Sequence, residues 1–220
     1  MTTDYYYYEP ERGHGLPHNP LNAIIGPRPI GWISSVNEQG VANLAPYSFF
    51  NCFNYQPPII GFASSGWKNS VENITRTGYF AWNLVTRELA SAMNETSASV
   101  AAGVDEFALA GLTPAASRKI PVPRVSESPV NFECKLTQCI QLTNAAEEKL
   151  NTWLVLGEVV AVHIAAHLLE DGVYQTAKAH PVMRAGGPSA YYGCSAAHKS
   201  RIFVKQLWIT TCDPTLNVKA

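Results

Sequence analysis

The sequence predicts a mainly β chain that closes into an antiparallel barrel with short flanking helices. Short apolar or alternating runs recur at close spacing, and no regular βαβ alternation separates them. The helical stretches between them are few and brief. Of the 220 residues 46% are hydrophobic and 15% charged, which supplies a core and excludes a disordered chain. The length favours one domain with long connections over two.

The elements follow in order. Residues 30–36 form a β-branched apolar run that ends at Asn37-Glu38-Gln39-Gly40, and Val41 restarts an extended segment, so a hairpin is expected. Pro57-Pro58 forces an extended entry into residues 59–63, a short run typical of a buried strand, and residues 79–85 read the same way. Val130, Phe132, Cys134 and Leu136 alternate with Asn131, Glu133, Lys135 and Thr137, the pattern of a strand with one wet face. Residues 153–164 and 201–209 supply two further strands. Asn69 is expected to cap a helix that has Glu72 at its third position and Gly78 as its stop. Thr86 is expected to cap a second helix through Met93, and residues 105–110 a third that ends at Gly111. The Pro/Ser-rich stretch 121–129 reads as a loop.

A formal net charge of -1 gives no long-range field for a polyanion, so neither nucleic acid nor a membrane surface is an expected partner. No apolar run reaches the roughly 18 residues of a spanning helix, and the polar, tyrosine-rich start is unlike a signal peptide; a cytoplasmic protein is expected. The cysteines Cys52, Cys134, Cys139, Cys194 and Cys212 are odd in number and lack zinc-knuckle spacing, so free thiols are expected. His163 and His167 lie four apart on a segment that reads as a strand, and His14 and His18 have no carboxylate partner; no metal site is assigned. Ten tyrosines and five tryptophans suit either a core or the walls around a planar ligand.

Two segments carry chemistry. Ser64, Ser65, Gly66, Lys68, Asn69 and Ser70 follow a strand and open a helix, so hydroxyls, an ammonium and unpaired N–H groups converge on one space. From the residues alone this is either an anion site or a helix cap with a solvated lysine. It is not a Walker loop, and neither a serine-hydrolase elbow nor a dinucleotide glycine fingerprint is present. The second segment, Asn43-Leu44-Ala45-Pro46-Tyr47-Ser48-Phe49-Phe50, mixes small, aromatic and hydrogen-bonding residues. Pro46 is expected to interrupt the strand there, freeing peptide groups for a flat ligand, although an edge-strand bulge gives the same pattern.

In order along the chain stand Arg28-Pro29-Ile30-Gly31-Trp32-Ile33-Ser34-Ser35, the Asn43–Phe50 segment, Pro57-Pro58, Lys68-Asn69-Ser70-Val71-Glu72-Asn73-Ile74 and Thr77-Gly78-Tyr79-Phe80. Asp105-Glu106-Phe107, Gly157-Glu158-Val159 and Arg184-Ala185-Gly186-Gly187 before Tyr191 come later. This set resembles the flavin reductase-like, FMN-binding split-barrel family over residues 22–193. The resemblance implies a six-stranded antiparallel Greek-key split barrel and a homodimer with FMN near the subunit interface. It also implies redox chemistry with NADH or NADPH as a transient co-substrate. It places the isoalloxazine along Asn43, Ala45, Pro46, Tyr47 and Ser48, the phosphate on Ser64, Ser65, Lys68, Asn69 and Ser70, and Arg184 and Tyr191 near the flavin. Asn69 departs from the Asp frequent in relatives, which removes a negative charge beside the phosphate. The expected organisation is an N-terminal extension over 1–21, the split-barrel domain over 22–208 and a tail over 209–220.

The expected function is an FMN flavoprotein that moves hydride or electrons between NAD(P)H and flavin, with no acid, base or other catalytic residue assigned. Two alternatives stand beside it: an FMN electron carrier for a redox partner protein, and an FMN oxidoreductase acting on a small organic substrate.

Overall fold

The computed structural model describes residues 4–98, 104–186 and 190–194. Seven strands form one antiparallel sheet: β1 (Gly31–Val36), β2 (Ala42–Tyr47), β3 (Phe50–Tyr55), β4 (Pro58–Ser65), β5 (Tyr79–Asn83), β6 (Val130–Thr143) and β7 (Lys149–Ile164), in the order β2-β1-β5-β6-β7-β4-β3. The helices are α1 (Leu21–Ile24), α2 (Asn69–Thr77), α3 (Ala90–Glu95) and α4 (Glu106–Leu109). The two edges of the sheet, β2 and β3, are consecutive in the chain and joined only by Ser48-Phe49. At this corner Phe49 O accepts the Ala63 N–H at 2.8 Å, Arg28 Nε donates to Ser48 O at 3.1 Å, and the Arg28 guanidinium lies 5.6 Å from the Phe49 ring centre. Counted as one bent strand, β2 and β3 give the six-stranded split barrel that the family resemblance implies.

The β1–β2 hairpin forms as expected, with Asn37 Oδ1 accepting from the Gln39 and Val41 N–H groups at 3.0 and 2.8 Å and Gly40 at φ 80°. A side chain that accepts from its own turn fixes this reversal locally. Both faces of β1 are buried. Ile33 points into the barrel with Phe62, Phe80 and Val155, where α2 adds Val71 and Ile74. Trp32 points the other way, among Leu44, Met93, Phe107 and Val125, and its indole N–H donates to Thr96 Oγ1 at 3.0 Å.

Several local expectations are corrected. Pro46 does not interrupt β2, because it pairs with Trp32 in an unbroken register. The strand is an edge, and the Leu44 N–H, two residues away, points off the sheet to Glu106 Oε2. The N–H that proline lacks thus falls on the unpaired side, where no ladder bond is lost. The cap of α2 is Lys68 rather than Asn69, and it makes no side-chain cap bond; Gly78 ends the helix in the left-handed region at φ 80°, as expected. A turn with Leu89 N–H donating to Thr86 O precedes α3, so that helix starts later than Thr86 and runs past Met93. The third helix is as expected, with Asp105 Oδ1 accepting from the Phe107 and Ala108 N–H groups.

The wet face expected on β6 is covered at Asn131 and Glu133, both buried. The connection before β6 folds over them: Glu133 accepts from the Arg118 and Lys119 N–H groups at 2.8 and 2.6 Å, and Arg124 Nη1 donates to Asn131 Oδ1 at 2.9 Å. The strand expected over 201–209 lies outside the described residues. Among the described residues no helix is long and apolar enough to cross a membrane.

Candidate functional site

The edge position of β2 makes the site. Along its unpaired side runs a cleft of about 230 Å³ whose floor is Asn43, Ala45, Pro46 and Tyr47. One wall is the start of α2, with Lys68, Asn69 and Ser70; the other is Thr96, Ser97 and Ala98 after α3, with Glu106 of α4. The two segments that the sequence marks for chemistry therefore meet across one space, tied by Asn43 Nδ2 donating to Ser70 Oγ at 2.9 Å.

The α2 wall is a set of donors that the helix itself does not use. Glu72 N–H makes the first turn's bond, to Lys68 O at 3.0 Å, so the preceding N–H groups have no intrahelical acceptor, and Lys68 caps none of them with its side chain. The positive end of the helix and the Lys68 ammonium add to one another for an anion placed there. Ser64 is buried and its hydroxyl donates to Gly66 O at 2.9 Å, closing the turn. Gly66 takes φ 95°, which a side chain disfavours. Ser65 is exposed at the end of β4, opposite Thr152. Neither serine lines the cleft.

Two ionisable groups in the floor and wall are perturbed. Burial raises the pKa of the Tyr47 phenol, and hydrogen bonding to the nearby Ser70 and Ser64 hydroxyls acts against it. Burial also raises Glu106, against which the Leu44 N–H contact acts.

A second cleft of about 250 Å³ continues past the other end of β2 and shares Pro46, Tyr47 and Ser97 with the first. Ser48, Arg184 and Tyr191 line it, together with Ile30, Met93 and Asn94. The strand pairing of Val182–Arg184 with Tyr191–Gly193 brings the Arg184 guanidinium to 4.9 Å from the Tyr191 ring centre. A double backbone bond with Arg28, at 2.9 and 2.8 Å, fixes that ribbon to the barrel corner. Burial, followed by the Arg184 charge, lowers the Arg28 pKa.

Of the residues named from sequence, Asn43, Ala45, Pro46, Tyr47, Lys68, Asn69 and Ser70 share the first cleft, and Ser48, Arg184 and Tyr191 the second. Sequence reading missed Thr96, Ser97, Glu106 and Met93. The Asp105 cap signal places Glu106 on a helix but says nothing of its burial against Leu44, and Thr96-Ser97 carry no local signal. His163, set aside as a metal ligand, meets Glu133 at 2.5 Å. No group of three metal-ligating side chains is assembled among the described residues.

The chain is thus an antiparallel split barrel with a donor-rich cleft along its edge strand. The family model described as "Flavin reductase like domain" matches residues 26–183, and the chain belongs to that family. An uncharacterized protein of Aquifex aeolicus is 32% identical over 170 residues, 74% of this chain and 83% of the relative. Nitrilotriacetate monooxygenase component B from Bacillus cereus superposes with a TM-score of 0.75 at 30% identity, over 88% of this chain and 95% of its own. The 2-nitrobenzoate 2-nitroreductase of Pseudomonas fluorescens gives 0.74 at 28%, over 85% and 89%.

Proposed function

We propose that this chain binds FMN along β2 and works as an NAD(P)H-dependent flavin reductase-like oxidoreductase. One observation carries the reading: an edge strand with a buried Tyr47 and an uncapped helix start with Lys68 form the two sides of a single cleft. These groups fit a planar, polar-edged ring that ends in a phosphate.

In this reading Lys68, Asn69, Ser70 and the free N–H groups of α2 hold the phosphate, and Ser64 and Ser65 shape the turn that presents them. Asn43, Ala45, Pro46, Tyr47 and Ser48 line the ring, with Arg184 and Tyr191 at its far end. Bound FMN would supply the ring that takes hydride from a nicotinamide. The protein's share is to position, to exclude water and to set local charge. Glu106 stands at that end of the cleft with its carboxyl engaged by the Leu44 N–H, and burial raises its pKa. NADH or NADPH enters as a diffusing co-substrate, since the chain has no dinucleotide fingerprint. A homodimer is part of the proposal.

The test is the visible spectrum of the purified protein, with the released cofactor identified. A yellow protein that yields FMN, or binds it at micromolar concentration, is expected; a colourless protein that takes up no FMN contradicts the reading. The second cleft favours a further reading, in which an organic molecule rather than free flavin or a partner protein accepts the electrons.

A further inference from the structure

We infer that Glu106 takes up a proton when the cleft along β2 receives an anionic ligand, so that the site binds such a ligand more tightly as pH falls. The inference deepens the flavin reading and rests on it, with the FMN phosphate as the anion. Asp105 caps α4 and so sets Glu106 at the helix start. There the side chain is 5% exposed, lines the first cleft, and accepts the Leu44 N–H of β2 through Oε2 at 3.1 Å. No lysine, arginine or histidine forms an ion pair with it among the described residues. A buried carboxylate without a counter-ion is costly in its charged form.

The donors of α2 and the Lys68 ammonium form the wall across from it and favour an anion. A ligand phosphate therefore brings negative charge into a cleft that already holds a carboxylate. The cleft has a volume of only about 230 Å³, and protein surroundings weaken the repulsion less than bulk water does. The Glu106 charge already reaches the cleft floor, where the Tyr47 phenol, raised chiefly by burial, is raised further by it. Of the other groups near Glu106, Asp105 is exposed and adds negative charge, and Thr96, Ser97 and Ala98 carry none. Lys68 is the single cation lining the cleft among the described residues, and a bound phosphate claims it. Glu106 then faces an anion with no cation of its own, and protonation relieves the repulsion. Burial already holds its pKa above the ordinary value, with the Leu44 N–H acting against it. A carboxyl whose pKa is higher with ligand than without adds affinity at low pH, and that affinity is lost as pH rises through the bound value.

The test compares the wild-type protein with Glu106→Gln, which keeps an acceptor for the Leu44 N–H, in flavin-fluorescence titrations with FMN between about pH 5.5 and 8.5. The phosphate's own titration is common to both proteins and cancels in the comparison. The wild-type dissociation constant should rise with pH about tenfold to a hundredfold more than that of Glu106→Gln, the scale for unit charges roughly 8 Å apart at a dielectric constant of about 20. With riboflavin, which lacks the phosphate, the two proteins should follow one pH course. Parallel FMN curves overturn the inference. A difference just as large with riboflavin overturns it too, since Glu106 would then answer to the ring and not to the anion. Should Glu106→Gln fail to fold, calorimetry of the wild-type protein in two buffers of different ionisation enthalpy counts the protons directly. At about pH 7, where a phosphate monoester is largely dianionic, FMN should bring in more protons than riboflavin, and equal counts overturn the inference. FMN binding at no pH fails the flavin reading and the inference with it, whereas FMN binding without the pH difference fails the inference alone.

Discussion

At the residue scale, Lys68 and Tyr47 separate a binding site from a helix cap. Lys68 caps α2 only with its backbone, so its ammonium has no structural task in the turn. Lys68→Ala should weaken FMN binding by about tenfold to a hundredfold with thermal stability unchanged, as expected for one charge-assisted contact. An unchanged dissociation constant would assign Lys68 to solvent. The Tyr47 hydroxyl is buried beside the Ser64 and Ser70 hydroxyls at the start of α2. Tyr47→Phe should weaken FMN binding about two- to tenfold, the scale of one neutral hydrogen bond. An unchanged dissociation constant would show that the hydroxyl does not meet the ligand. Glu133 makes a test in pH. Burial pushes its pKa up, but the Arg118 and Lys119 N–H groups and His163 outweigh that and hold the carboxyl below its ordinary value. A carboxyl lowered in the folded state stabilises the fold above its unfolded pKa, and loses that contribution as pH falls through the folded value. Between about pH 5 and 2 the wild-type protein should lose stability more steeply than Glu133→Gln in urea titrations; parallel curves would contradict the pairing.

At the scale of elements, local chemistry was legible where the determinants are local. The Asn37–Gly40 turn, the Asp105 cap and the Gly78 stop each rest on residues within a few positions, and each stands where the sequence puts it. The errors share a cause. Asn131 and Glu133 read as a wet face because their cover comes from residues more than five positions away. Strand β3 was not anticipated, since five of its six residues are exposed and show no alternation. In β6 the two-residue period breaks where the register shifts between Leu136 and Gln138. Gly157 of β7 shows how tightly the elements meet. A Cβ there would stand 2.3 Å from Phe80 Cε1 and 3.0 Å from Lys135 O, one a buried ring and the other backbone. Gly157→Ala should cost about 1–3 kcal/mol and lower the melting temperature by between about 2 and 12 °C. An unchanged melting temperature would mean that the Phe80 ring has room to move.

At the scale of the molecule, closure of the barrel creates the candidate site. Because β2 and β3 are the sheet's edges and also consecutive, the chain bends at Ser48-Phe49 and leaves one side of β2 open for a ligand. The order of motifs in the sequence marked the residues of that edge and of the α2 start. It did not show that residues 96–98 form the opposite wall, since only the folded chain brings them there. The other edge exposes Phe53 and Tyr55 on β3, apolar surface in keeping with a second copy of this chain. Sedimentation should give twice the 24.0 kDa chain mass, and a monomer at working concentration would contradict the dimer. The central claim, a flavin site served by a diffusing nicotinamide, is tested most directly by anaerobic mixing of the FMN-loaded protein with NADH and with NADPH. Direct transfer needs the nicotinamide about 3 to 3.5 Å from the flavin, so one face of the bound ring must be reachable. Bleaching of the oxidised-flavin band within seconds by at least one nucleotide, with no partner protein present, is the predicted result; bleaching by dithionite but by neither nucleotide would contradict it.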